Sequence, residues 1–83
     1  MRIRAIKRKL GREHACGEAF QGTATFHIDP RPSVHGGEKG YLGTLIHEAI
    51  HLLDDNLTEK EVVRRETAIT NLLWREGYRK VSQ

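Results

Sequence analysis

The sequence predicts a small α+β domain, with a short N-terminal sheet, antiparallel or mixed, followed by two helices. Three observations lead there. The first half is broken into short alternating or β-branched runs separated by Gly and Pro. The second half carries its apolar residues at helical spacing. With 83 residues there is room for one thin core, so residues 1–83 are read as a single domain.

The first element is a strand within Met1–Leu10, where Ile3, Ala5 and Lys7 alternate with Arg2, Arg4 and Ile6. Six of the 14 Lys and Arg lie in the first twelve residues, and no acidic residue accompanies them. The rest of the chain is acidic, with eight basic against eleven acidic residues, so the net charge of +3 belongs to this segment. A solvated edge strand accounts for it, because Lys and Arg on an edge deter edge-to-edge pairing. Gly11–Gly17 reads as a polar turn. Thr23–Asp29 is the strongest strand signal, with Ala24, Phe26 and Ile28 on one face and Thr23, Thr25 and His27 on the other. Pro30 and Pro32 end it, and Gly36, Gly37 and Gly40 mark a loop.

A helix is expected from between Lys39 and Thr44 to about Asp54, with an apolar stripe of Leu42, Leu45, Ile46, Ala49, Ile50 and Leu53. Asp54, Asp55 and Asn56 interrupt it. Thr58-x-x-Glu61 has the form of a capping box and opens a second helix, with Val62, Ile69, Leu72 and Leu73 inward. Gly77 stands where a left-handed glycine closes a helix, and Arg75, Arg79 and Lys80 complement the dipole.

No run reaches the ~18–20 apolar residues of a membrane span, and no apolar stretch at the N-terminus resembles a signal peptide. Cys16 is the only cysteine, which excludes an intrachain disulfide and points to a reducing, intracellular (cytoplasmic) setting. A core this small without disulfides is commonly steadied by a metal or a partner chain.

The chemistry lies in His47-Glu48-Ala49-Ile50-His51, an HExxH motif inside the first expected helix. Spacing four puts both imidazoles on one helical face, one turn apart, where they can hold a single Zn²⁺. They lie nearly opposite the Leu42–Ile46–Ala49–Leu53 stripe, so they are not core histidines. Glu48 flanks them and is the candidate general base toward a metal-bound water. The plain alternative is a pair of surface histidines, or a metal site serving folding alone.

Catalytic zinc usually has three protein ligands. No histidine stands at the spacing of the extended HExxHxxGxxH motif, so the third candidate is a carboxylate. Asp54 is placed for support rather than ligation, since three ligands along one straight helix are awkward. Glu59 and Glu66 of the second helix remain, with Glu59 ahead because a short turn could bring it beside His51. His27, His35 and Tyr78 are conceivable oxyanion donors, each with a simpler role as a strand, loop or packing residue. The Thr23–Asp29 strand, as an exposed edge, could align an extended peptide. The spacing of His14 and Cys16 matches no metal site.

From Thr23 to Arg79 the chain resembles the small HExxH metallopeptidases of phages and prophages, related to the SprT-like and ImmA/IrrE-like zincins. The resemblance is carried by Phe-His-Ile-Asp-Pro (26–30), Leu-Ile-His-Glu-Ala-Ile-His (45–51), Leu-Thr-Glu-x-x-Val (57–62) and Leu-Leu-Trp-Arg-x-Gly-Tyr-Arg (72–79). It implies a minimal zincin-like fold, a peptide or protein substrate, and a host-cytoplasm location if phage-encoded. It also implies a glutamate of the helix after the motif as third ligand, which supports Glu59. Arg65 and Glu66 depart from the small or apolar pair expected there. The leading expectation is a zinc metallopeptidase with His47, His51 and Glu59 as ligands and Glu48 as base. A zinc-stabilised, non-catalytic binding module is the alternative. A nucleic-acid contact through the basic segment ranks last, because no interleaved aromatics or recognition helix accompany it.

Overall fold

The computed structural model describes residues 2–10, 16–20 and 22–81. Its elements run β1 (Arg4–Lys7), β2 (Gly17–Ala19), β3 (Thr25–Ile28), a 3₁₀ turn (Pro32–His35), α1 (Glu38–Leu53) and α2 (Glu59–Arg75). The strands form a mixed sheet in the order β1-β3-β2. β1 runs parallel to β3 with Ala5 opposite Phe26, and β2 runs antiparallel to it with Glu18 opposite His27. This is the α+β class expected, with a mixed sheet followed by two helices. Among the described residues no helix is long and apolar enough to cross a membrane.

β1 is an edge strand with all four residues exposed, as its basic composition suggests. The strand expected at Thr23–Asp29 is the central one, so it is not an exposed edge and has no side left for a peptide. Its alternation is as read: Phe26 and Ile28 are buried while Thr25 and His27 are not. β2 begins at Gly17, in a stretch that reads as a turn in the sequence. Most of that stretch, residues 11–15, lies outside the described residues, as does His14.

Beyond β3 the chain is tied down by Asp29, which is fully buried. Its carboxylate accepts from the amides of Leu10 (3.1 Å) and Arg31 (3.0 Å) and from the Arg31 guanidinium (2.9 and 2.7 Å). His35 extends the tie. Its Nε2 donates to the Asp29 carbonyl (2.7 Å), and its Nδ1 lies 2.9 Å from Thr44 Oγ1 on α1. Gly40 permits this closeness, because a Cβ there would fall 1.8 Å from the His35 carbonyl oxygen.

α1 lies between the sheet and α2. The core joins Phe26, Ile28 and Tyr41, with Ile3, Ala19, Leu45 and Leu52 packed around them. The helix therefore turns Tyr41, Leu45, Glu48 and Leu52 toward the sheet, at i, i+4, i+7 and i+11. The expected stripe is right at Leu45 but not at Leu53, which is 65% exposed. The apolar pattern alone is wide enough to leave this rotation open.

α2 starts at the N-cap Thr58, whose Oγ1 accepts from the Glu61 amide at 3.2 Å and donates to Glu61 Oε1 at 3.2 Å. It ends in a Schellman motif, with Gly77 at φ +91° and amide bonds from Gly77 to Trp74 and from Tyr78 to Leu73. Its inward face is only partly the one expected, at Val62 and the half-buried Leu73. Val62 is fully buried, but Ile69 and Leu72 are exposed, and Glu66 and Thr70 occupy the face toward α1.

Candidate metal centre

α1 supplies His47 and His51 one turn apart, and α2 returns antiparallel beside it after the Asp54–Thr58 turn. That return brings Glu59, in the first turn of α2, onto both rings. Glu59 Oε1 lies 2.7 Å from His47 Nε2, and Oε2 lies 3.0 Å from His51 Nε2. The two Nε2 atoms are 3.2 Å apart. Four-coordinate zinc with bonds of about 2.0–2.1 Å sets its ligand atoms about 3.3 Å from one another. The three donors thus stand close to one triangular face of such a tetrahedron, and two neutral imidazoles with a carboxylate suit a divalent metal. His47, His51 and Glu59 are the metal-capable group of the described residues. The histidines are largely shielded between the helices while Glu59 is 65% exposed, so the site opens to solvent along its α2 side.

The other carboxylates take different places. Glu66 puts Oε1 3.7 Å from His47 Nδ1, and its Oε2 accepts from Thr70 Oγ1 at 3.4 Å. It stands behind the His47 ring, where a carboxylate favours the orientation that leaves Nε2 free for a metal. Asp54 is exposed at the C-cap of α1 and accepts from the Asn56 amide at 3.2 Å, so it caps the turn and lies outside the triad.

Glu48 is buried on the sheet side of α1, beside β2. Burial pushes its carboxyl above the ordinary value, and His47 and His51 offset part of that rise. An open cleft of about 570 Å³ runs past it, lined by Gly17 of β2, Gly43, Thr44, His47 and Glu48 of α1, and Thr67 and Thr70 of α2. A carboxylate raised by desolvation in the wall of a cleft, beside a cluster of potential metal ligands, is an arrangement suited to proton transfer.

None of the three oxyanion candidates faces this cleft. His27 is on the far side of the sheet, edge-on to Phe20 at 4.7 Å. His35 is committed to Asp29 and Thr44. Tyr78 is exposed and borders a different groove. Cys16 lines the cleft, its thiol directed at the Val34 carbonyl at 3.5 Å.

Two glycines shape the site that motif reading passes over. A Cβ at Gly17 would lie 2.9 Å from Glu48 Oε2 and 3.1 Å from Thr44 Cγ2, so β2 approaches Glu48 only without one. A Cβ at Gly43 would lie 3.0 Å from Glu66 Oε2. A sequence signal for Gly43 exists: Gly inside a helix costs about 1 kcal/mol against Ala, and Gly43, His47 and His51 share one spacing-four row.

Comparison with protein-family models, with curated proteins and with solved structures finds no match to this chain.

Proposed function

We propose that this chain is a zinc-dependent peptidase of the HExxH type, built on a minimal zincin-like arrangement and acting on peptide or protein substrates. Convergence of the His47, His51 and Glu59 donor atoms beside a buried Glu48 is the observation that supports this most directly. A bound zinc ion would supply Lewis acidity and bring the pKa of a water it holds toward ~7.

The remaining chemistry belongs to the chain. Glu48 accepts the proton of the attacking water and returns it to the leaving amine. Its raised pKa makes it a stronger base toward that water than an exposed glutamate would be. Glu66 steadies His47, and the cleft between β2 and the helices receives the substrate. β2, and not β3, is the edge strand along that cleft, so an extended substrate aligned by strand addition would pair there. The burial of Glu48 favours this reading over a purely structural metal site, which has no use for a desolvated carboxylate beside it.

The test pairs elemental analysis with one substitution. Purified protein should carry close to one zinc per chain, and Glu48→Gln should lose hydrolysis of a casein or peptide-library substrate by about 10²-fold or more, with metal content and circular dichroism unchanged. Full activity in Glu48→Gln would remove the mechanism. Zinc binding with no hydrolysis in either protein would favour a zinc-stabilised binding module.

A further inference from the structure

On the side of α1 away from the metal cluster, the outer edge of β1 and the C-terminal end of α2 frame a second, more apolar groove of about 480 Å³. Ala5, Lys7, Leu42, Leu73, Trp74 and Tyr78 line it, and none of them belongs to the metal site. We propose that this groove and the β1 edge together form a docking surface for an extended acidic peptide, added to the sheet as a further strand.

Three features converge on that occupant. The first is the backbone. In a parallel ladder, alternate residues of a strand bond to the same neighbour. Arg4 and Arg8 donate their amides inward, to Ala24 and Ile28 of the β3 segment, so the amides and carbonyls of Ala5 and Lys7 point away from the sheet. Among the described residues no strand pairs with that edge. The second is the groove, which the same two residues line, so a strand paired there would aim alternate side chains toward it.

The third is charge. Lys7, Arg79 and Lys80 line the groove against Glu38 alone among acidic residues. Two of these cations rest on rings: the Arg79 guanidinium sits 3.4 Å over the Trp74 ring and donates to the Trp74 and Tyr78 carbonyls, and Lys80 lies 4.9 Å from the Tyr41 ring. Arg2, Arg4, Arg8 and Lys9 continue the positive field along the strand. Such an edge repels a second copy of itself and favours a strand of opposite sign. A nucleic acid is less well served, because Tyr41 is buried and Arg79 covers the Trp74 face, which leaves Tyr78 as the open ring of the groove for base stacking.

The experiment measures binding of three fluorescein-labelled probes by anisotropy: a peptide alternating Glu and Val, one alternating Lys and Val, and single-stranded oligo-dT. Amide shifts of ¹⁵N-labelled protein map each site. The Glu–Val peptide should bind, with shifts centred on Ala5 and Lys7, and the Lys–Val peptide should not. Ala5→Pro removes an outward amide without touching a β1–β3 bond and should weaken binding about five- to tenfold. Should that variant fail to fold, Lys7→Glu and Lys80→Glu, both at the surface, carry the same test and should each weaken the Glu–Val peptide. Equal binding of both peptides, binding of oligo-dT in place of the acidic peptide, or shifts centred on His47 and His51 would each overturn the proposal.

Discussion

Glu48 illustrates how much a single residue's setting depends on a neighbour with no side chain. Its carboxylate occupies space that any residue other than glycine at position 17 would contest, with the added Cβ only 2.9 Å from Oε2. Gly17→Ala should therefore leave the fold and the metal ligands in place but displace Glu48 from its position beside the cleft. On the proposed peptidase reading, hydrolysis should fall about 10- to 100-fold, in line with the cost of a misplaced catalytic group, while zinc content stays the same. Unchanged turnover in Gly17→Ala would show that the approach of β2 does not position Glu48. The motif makes His47, Glu48 and His51 legible as a group, because spacing on a helix is local. Gly17 is not legible, because its role exists only once β2 lies beside α1.

At the scale of elements, the joint between the sheet and α1 runs through Asp29. One buried carboxylate gathers the end of the β1 segment, the end of β3 and the start of the 3₁₀ turn, and His35 passes the connection to Thr44 of α1. The Arg31 guanidinium, together with the amides of Arg31 and Leu10, holds the Asp29 carboxyl well below the usual carboxylate range despite its burial. A pKa lower in the folded than in the unfolded chain means that the ionised form stabilises the fold. That contribution is complete above the unfolded value near 4 and is lost as pH falls through it toward the folded value. Asp29→Asn should therefore be destabilised most at neutral pH, with its difference from the parent narrowing below about pH 4. Urea midpoints of both proteins from pH 7 to pH 2 check this, and a difference that stays constant over the range would mean that the charge is not what matters. The sequence shows Pro30 and Pro32 ending a strand, but Asp29 reads there as a terminal residue like any other. Arg31 lies only two residues on, but Leu10 reaches Asp29 through the parallel pairing of β1 with β3.

For the whole molecule, what the sequence conveys is order and type: strands before helices, a capped second helix, a left-handed glycine closing it. What it does not convey is rotation. The apolar residues of α2 allow Ile69 and Leu72 to face inward, yet the helix turns Val62, Glu66 and Thr70 toward α1. A buried apolar anchor at Val62, the narrow gap at Gly43 and the reach of Glu59 to both histidines fit together only in that phase. The consequence is a helix pair with little apolar cement. Of the buried hydrophobic residues Phe26, Ile28, Tyr41 and Val62, only Val62 belongs to α2. A metal held by two residues of α1 and one of α2 would staple the pair, and its binding free energy would appear as stability. With free zinc at about 100 times its dissociation constant the gain is about 2.7 kcal/mol. For a domain of this length that corresponds to about 10–20 °C in Tm. Chelation should remove this gain, and hydrogen exchange should show the amides of α2 losing protection before those of β3. Glu59→Ala should have a low Tm that neither zinc nor chelator changes, because the ligand bridging the helices is gone. If zinc leaves the Tm of the parent protein unchanged, or raises that of Glu59→Ala as much, the two helices are not joined through this triad.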